Sequence, residues 1–203
     1  MTDVQALWQD RVTQLETRSG AEMVVAVQPQ AGSYVDIHWK WATLAMTFSL
    51  LFMVHGPLLF HADGVLLNAL FAGLLGYLAS WRVAPLRRLL TTVRRRQNQM
   101  ECSCREVFER LQISHTRDRV GLLLLVSRFE NRAMLRPDVG LSGRIPGALL
   151  HRLQCQLDRA STRSQLDTAV TRVLEELLEP LQRSIPLRSD DANELSNQVR
   201  NLC

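Results

Sequence analysis

The chain has 203 residues, 46% of them hydrophobic and 22% charged, with a mean hydropathy near zero. That is room for one globular domain, or for a smaller one plus a membrane element, and too little for two full domains. The composition excludes a disordered or fibrous chain. The net charge is +4, from 24 Lys and Arg against 20 Asp and Glu, and Lys40 is the only lysine. The arginines alternate with acids instead of forming one stripe with aromatics between them, which argues against nucleic acid as a partner.

Residues 2–19 place Val4, Trp8, Val12 and Leu15 at helical intervals, so an amphipathic helix is expected there. Thr2 or Asp3 is its expected N-cap, and Ser19-Gly20 its stop through a left-handed glycine. Glu22 to Gln28 (EMVVAVQ) is a short, largely apolar run between Gly20 and Pro29. It reads as a strand buried on both faces.

The composition then changes sharply. From Trp41 to Trp81 there is no Lys, Arg or Glu and a single Asp. Trp41 to Phe60 supplies 20 residues, about 30 Å of helix, which is one bilayer core. A polar break at residues 61–64 precedes a second apolar run from Val65 to Trp81, extending to about 83 as a span. Together they predict a transmembrane helical hairpin, with Trp39, Trp41 and Trp81 at its ends and Ala72, Gly73, Gly76 and Ala79 allowing close helix approach. Gly56-Pro57 should end or kink the first span, and His55 beside it reads as structural. Arg82, Arg87, Arg88, Arg94, Arg95 and Arg96 follow the second span and Lys40 precedes the first, while the connecting loop has no cation. By the positive-inside rule both termini are expected to face the cytoplasm, and the chain is expected to be a multi-pass protein of the bacterial inner-membrane type. Residues 1–20 have no apolar core of the kind a signal peptide carries.

Met100, Cys104, Val107, Phe108 and Leu111 recur at helical spacing, so 86–112 is expected to be one long helix or two joined pieces. Arg119 to Ser127 (RVGLLLLVS) is the strongest strand signal and the expected sheet centre. Glu130-Asn131 predicts a tight turn into a half-exposed strand over Arg132–Arg136. Pro137 to Gly140 break that strand. Helices follow with stripes at Ile145, Leu149, Leu150, Leu153 and Leu157, and at Leu166, Val170, Val173, Leu174, Leu177 and Leu181, the second capped by Ser161 or Ser164. Pro186 closes the folded region, and a weak helix through Leu195, Val199 and Leu202 is expected in the tail. Cys102 and Cys104, two apart on a helix, cannot chelate one zinc without unwinding. The cysteines of a cytoplasm-facing domain read as reduced thiols, with Cys104 in the core stripe.

At this point the residues carry a resemblance. Leu15 to Val25 (LETRSGAEMVV), Arg117 to Ser127 (RDRVGLLLLVS) and Arg132 to Gly140 (RAMLRPDVG) resemble, in order and spacing, the three signatures of the TPM domain family, with Gly20, Glu22, Gly121, Asp138 and Gly140 at the motif positions. The likeness covers about 2–29 and 97–183. It implies an α/β fold: a three-layer α/β/α sandwich with a small mixed sheet, here interrupted by the two-helix transmembrane hairpin. The chain then divides into 1–36 (helix plus strand), 37–84 (hairpin), 85–186 (remainder of the domain) and 187–203 (polar tail). For function, the resemblance implies a membrane-anchored binding or accessory module that aids assembly or maintenance of a membrane complex, the bilayer and another membrane protein or complex being its partners. The alternative is a divalent-metal-dependent phosphatase using calcium or magnesium. Phosphoryl transfer needs a cation clamp, for which Arg136, Asp138 and Arg144 are the candidates. The candidate metal ligands are Glu22, Asp118 and Asp138, a thin supply beside the six or more oxygens that calcium takes.

Overall fold

The computed structural model describes residues 3–56, 62–83, 90–116, 118–187 and 199–202. These fall into two compact units, one built from 1–31 together with 98–203, the other from 32–97.

In the first unit, α1 (Asp3–Glu16) buries Trp8, Val12 and Leu15. It stops earlier than expected and without a left-handed glycine, since no described glycine has a positive φ. The hydroxyls of Thr17 and Ser19 instead donate to the carbonyls of Thr13 and Leu15, both at 2.9 Å, and take up the open end of the helix. Strand β1 (Glu22–Gln28) follows, then β2 (Gly121–Ser127) and β3 (Arg132–Pro137). β1 and β2 pair in parallel over seven residues, Glu22 opposite Gly121 through Gln28 opposite Ser127. β2 and β3 form an antiparallel hairpin with Leu124 opposite Leu135. The turn between them has Asn131 at φ 53°, a left-handed position that asparagine tolerates. The tail corrects the sequence reading: Arg200–Asn201 is not helical but forms a short strand, β4, parallel to β1. The sheet order is β3-β2-β1-β4, so β2 is interior, as expected of its all-apolar run. Residues 188–198, and with them Leu195, lie outside the described set.

Alternation along the two parallel strands separates two apolar clusters. Met23, Val25, Val27, Leu122, Leu124 and Val126 join the stripes of α1 and the two late helices. Val24, Ala26, Leu123 and Leu125 join Met100, Cys104, Val107 and Phe108 of α4 (Val93–Arg110), which begins later than the expected 86; residues 84–89 lie outside the described set. Two covered faces explain why both strands read as unbroken apolar runs. After β3, Asp138 caps the short α5 (Val139–Ser142), followed by α6 (Gly147–Asp158) and α7 (Arg163–Ser184). The α7 cap is neither predicted serine. Thr162 accepts from the Gln165 N–H while the Gln165 side chain accepts from the Thr162 N–H, a reciprocal box.

The second unit holds α2 (Val35–His55) and α3 (Ala62–Arg82). Both are long and apolar enough to cross a membrane, with mean hydropathies of 1.2 and 1.5 over Val35–His55 and Gly64–Arg82. Much of their apolar surface faces outward: Phe48 is 72% exposed, Val54 74% and Leu67 67%. α2 begins before the expected Trp41 and ends before Pro57, its last residue being His55 and Gly56 being extended at φ −74°, ψ 159°. That is the boundary a following proline imposes. The polar break expected at 61–64 is partly helical, because α3 already includes Ala62, Asp63 and Gly64; His61 is not among the described residues. The small residues do permit close approach: a Cβ on Gly76 would stand 2.7 Å from both the Ala45 Cβ and the Trp41 carbonyl oxygen. A buried hydrogen bond of 2.7 Å joins His38 Nδ1 and the Ser80 hydroxyl across the pair. At the end of the hairpin, Arg95 forks onto both oxygens of Asp36 at 2.6 and 2.7 Å, and Lys40 reaches Asp36 at 3.2 Å.

Candidate functional site

Of the candidate residues, Glu22, Asp118 and Asp138 lie where the parallel strands β1 and β2 begin. Asp138 leaves β3 there. Its N–H donates to the Gly121 carbonyl at 2.9 Å, and its Oδ1 accepts from Val139 N–H at 2.7 Å. Asp138 is 4% exposed. Its Oδ2 is buried without a hydrogen bond, and the nearest cation is the largely exposed Arg119, whose Nε lies 4.0 Å away. Gly140 faces the carbonyls of the loop before β2: a Cβ on it would come within 2.3 Å of the Asp118 oxygen and 2.7 Å of the Arg119 oxygen. Arg119 itself adopts φ 53° to turn that loop. Gly121 is equally constrained, since a Cβ would meet the Ile113 side chain at 2.5 Å. Gly121 and Gly140 are thus spacing requirements, allowing close backbone approach beside a buried carboxylate.

One carboxylate at this end was missed by the sequence reading. Glu16, the last residue of α1, accepts from Met23 N–H at 3.1 Å through Oε1, while Oε2 is buried without a partner. Burial, reinforced by the nearby charge of Glu22, pushes this carboxyl up to about 7. Its position at the polar end of an amphipathic helix signalled only a solvated acid. The signal that could have found it is proximity in sequence: seven residues separate it from the second residue of β1, a tight return that folds its side chain over the strand start.

The phosphate-facing set does not assemble. Arg136 lies over the Phe108 ring, 5.3 Å from its centroid, Arg144 is exposed beyond α5, and among the described residues no hydrogen bond or ion pair joins either to Asp138. Nor do the acids fit a calcium or magnesium ion. Among the described residues no three of His, Cys, Asp and Glu come together in a metal-holding group, and one orphaned carboxylate oxygen with a few backbone carbonyls falls short of a six-oxygen shell. The opposite strand ends carry a buried polar cluster, in which Gln28 Nε2 has no hydrogen bond. Glu130, 1% exposed, accepts from Ala31 N–H at 2.9 Å and from the Ser127 hydroxyl, and Ser103 donates to Gln28 Oε1 at 3.0 Å. Of the cysteines, Cys102 is exposed and Cys104 buried, both free; burial pushes the Cys104 thiol up to about 11, so it is a core group and not a nucleophile. His55 Nδ1 donates to the Leu51 carbonyl of its own helix at 3.1 Å.

No family model matches this chain, and no curated protein matches it. Among solved structures, its fold is similar to the NMR structure of BA42 protein from the psychrophilic bacteria Bizionia argentinensis sp. nov., with a TM-score of 0.56 and 12% identity, over 99% of this chain and 94% of that one. At that identity the likeness concerns the fold alone.

Proposed function

We propose that this chain is a membrane-anchored binding module of the TPM type, an α/β/α sandwich held by a two-helix anchor at the cytoplasmic face of a bacterial inner membrane, where it aids assembly or maintenance of a membrane complex. The observation that carries this reading is the pair of apolar helices, with bare hydrophobic side chains, inserted in the chain between two strands that pair with each other. An exposed apolar surface of that extent belongs in lipid or against a partner. The arginines after α3 support cytoplasmic termini, and the division of core residues between two sheet faces supports the layering. A binding role is favoured over phosphoryl transfer because Arg136 and Arg144 stand apart from Asp138 and the acids do not make a cation site.

Topology is the direct test. In a variant with the exposed Cys102 replaced by serine, a membrane-impermeant thiol reagent applied to intact cells should label Asp63→Cys and spare Arg94→Cys. The opposite pattern overturns the orientation, and labelling of neither or both overturns the hairpin. Release of phosphate from a generic phosphoester by the purified protein, abolished in Asp138→Asn, would replace the binding reading with the enzymatic one.

A further inference from the structure

The positive charge of this chain is concentrated in one part of it. Residues 32–97 hold seven Lys and Arg against two Asp, a net +5, whereas the remainder holds seventeen against eighteen acids, a net −1. The unit that contains the sheet is therefore close to neutral, and the apolar insertion accounts for the excess. Within the insertion, the described cations lie at one end. α2 and α3 run antiparallel, Gly76 facing Trp41 and Ala45 while Gly73 faces Ala42 and Met46. The start of α2 is thus beside the end of α3, where His38 bonds to Ser80 and the Trp39 and Tyr77 rings stand 5.5 Å apart. Arg95, forked onto Asp36, brings the start of α4 to the same end. Lys40, Arg82, Arg94, Arg95 and Arg96 meet there with one acid, Asp36; Asp63 opens α3 at the other end. Arg87 and Arg88 lie outside the described residues.

Asp36 is engaged by Lys40 and Arg95. Among the described residues no acid pairs with Arg82, Arg94 or Arg96, and Arg96 Nε is buried without a hydrogen bond. Helix stability does not explain these cations. Three consecutive arginines open α4, whose first turn has no acid, and cations there oppose the positive end of the helix dipole. The rings beside them suit a bilayer surface: Trp39 and Trp81 are largely exposed, and the Arg82 guanidinium lies 5.7 Å from the Trp81 ring centroid. Toward the other end the surface turns apolar at once, with Leu44, Leu74 and Leu78 all exposed.

We infer that this end of the hairpin binds the headgroups of anionic phospholipids, which rests on the membrane reading above and names the lipid that the anchor selects. With the apolar band in lipid, cations at its border stand at the level of the phosphodiesters and draw anionic lipid to them, while the indole rings hold that depth. Arg82 and Arg94, both exposed, present forked donors that match phosphate oxygens. Asp36 holds Lys40 and Arg95 together beneath them. The backbone at the start of α4 is not the site, since the Arg95 N–H already donates to the Thr92 hydroxyl at 3.3 Å.

The experiment mixes the full chain, in neutral detergent micelles, with equal amounts of phosphatidylglycerol and phosphatidylcholine of the same acyl chains. After washing in neutral detergent, the retained lipid is measured by mass spectrometry. Phosphatidylglycerol should be retained at least about tenfold over phosphatidylcholine, the ratio falling as salt is raised. Arg82→Gln with Arg94→Gln should lower the ratio by about tenfold, and Arg82→Lys with Arg94→Lys should keep most of it. Arg163→Gln with Arg172→Gln, which removes the same charge from exposed positions outside the insertion, should leave it unchanged. A wild-type ratio near one, an undiminished ratio in the first variant, a lysine variant as deficient as the glutamine one, or an equal loss in the variant outside the insertion overturns the inference. Complete release of phosphatidylglycerol by millimolar inorganic phosphate assigns the arginines to a free anion and overturns it as well. Thiol labelling at positions 63 and 94 tests the hairpin without reference to lipid type, so the two readings fail separately.

Discussion

Glu16 holds its proton more tightly in the folded chain than in the unfolded one, because burial penalises the charged form and the N–H of Met23 compensates only one oxygen. The sign of the consequence follows from linkage. A carboxyl whose folded value is raised to about 7 from an ordinary 4.5 stabilises the fold fully below 4.5, and that stabilisation is lost as pH rises through about 7. Glu16→Gln keeps the acceptor and removes the ionisation. Its stability from urea unfolding is expected to equal or trail that of the wild type at pH 5 and to exceed it at pH 8, by roughly 1 kcal/mol once solvent screening of a partly exposed group is allowed for. A difference between the two proteins that does not change with pH would refute the assignment. Asp138 shows the other limit of reading single residues. Its place after β3 was legible as a turn acid, and it does cap α5, but nothing in the sequence announces that one of its oxygens is buried without a hydrogen bond. That depends on Gly140 bringing the 118–119 carbonyls close, a contact made between segments about twenty residues apart.

Elements with one dominant physical cause were the legible ones. β1 and β2, seven residues each, are recognisable from their largely apolar runs because both faces are covered, and α7 from its six-residue stripe. Ends were less legible, since several hydroxyls compete for each: Ser161, Thr162 and Ser164 all precede or open α7, and only the pairing of Thr162 with Gln165 three residues on satisfies two donors at once. Thr162→Ala should therefore cost about 1 kcal/mol in chemical denaturation, and Ser161→Ala close to nothing; equal losses would contradict the cap. β4 was illegible for a different reason. Two residues cannot express a period, and Arg200 and Asn201 are placed by the free edge of β1 and by side-chain bonds such as Gln5 to Asn201 at 2.8 Å. Propensity favoured a frayed helix there, and an available strand edge prevailed.

For the whole molecule, the division into 1–31 with 98–203 and 32–97 means that the apolar insertion contributes no residue to the two clusters that cover the sheet. Replacing 32–97 by a short Gly-Ser linker is accordingly expected to yield a water-soluble protein with a cooperative thermal transition, observed by circular dichroism without detergent. Aggregation, or a non-cooperative melt, would show that the sheet depends on the helices it surrounds in sequence. The order of the chain carries one more implication. Glu22 and its partner Gly121 are 99 positions apart, with α2 and α3 between them. During synthesis β1 emerges as a naked, sticky ribbon, and two greasy helices must leave the ribosome before anything can zip onto it. On the proposed membrane reading, whatever receives those helices acts before the sheet can close.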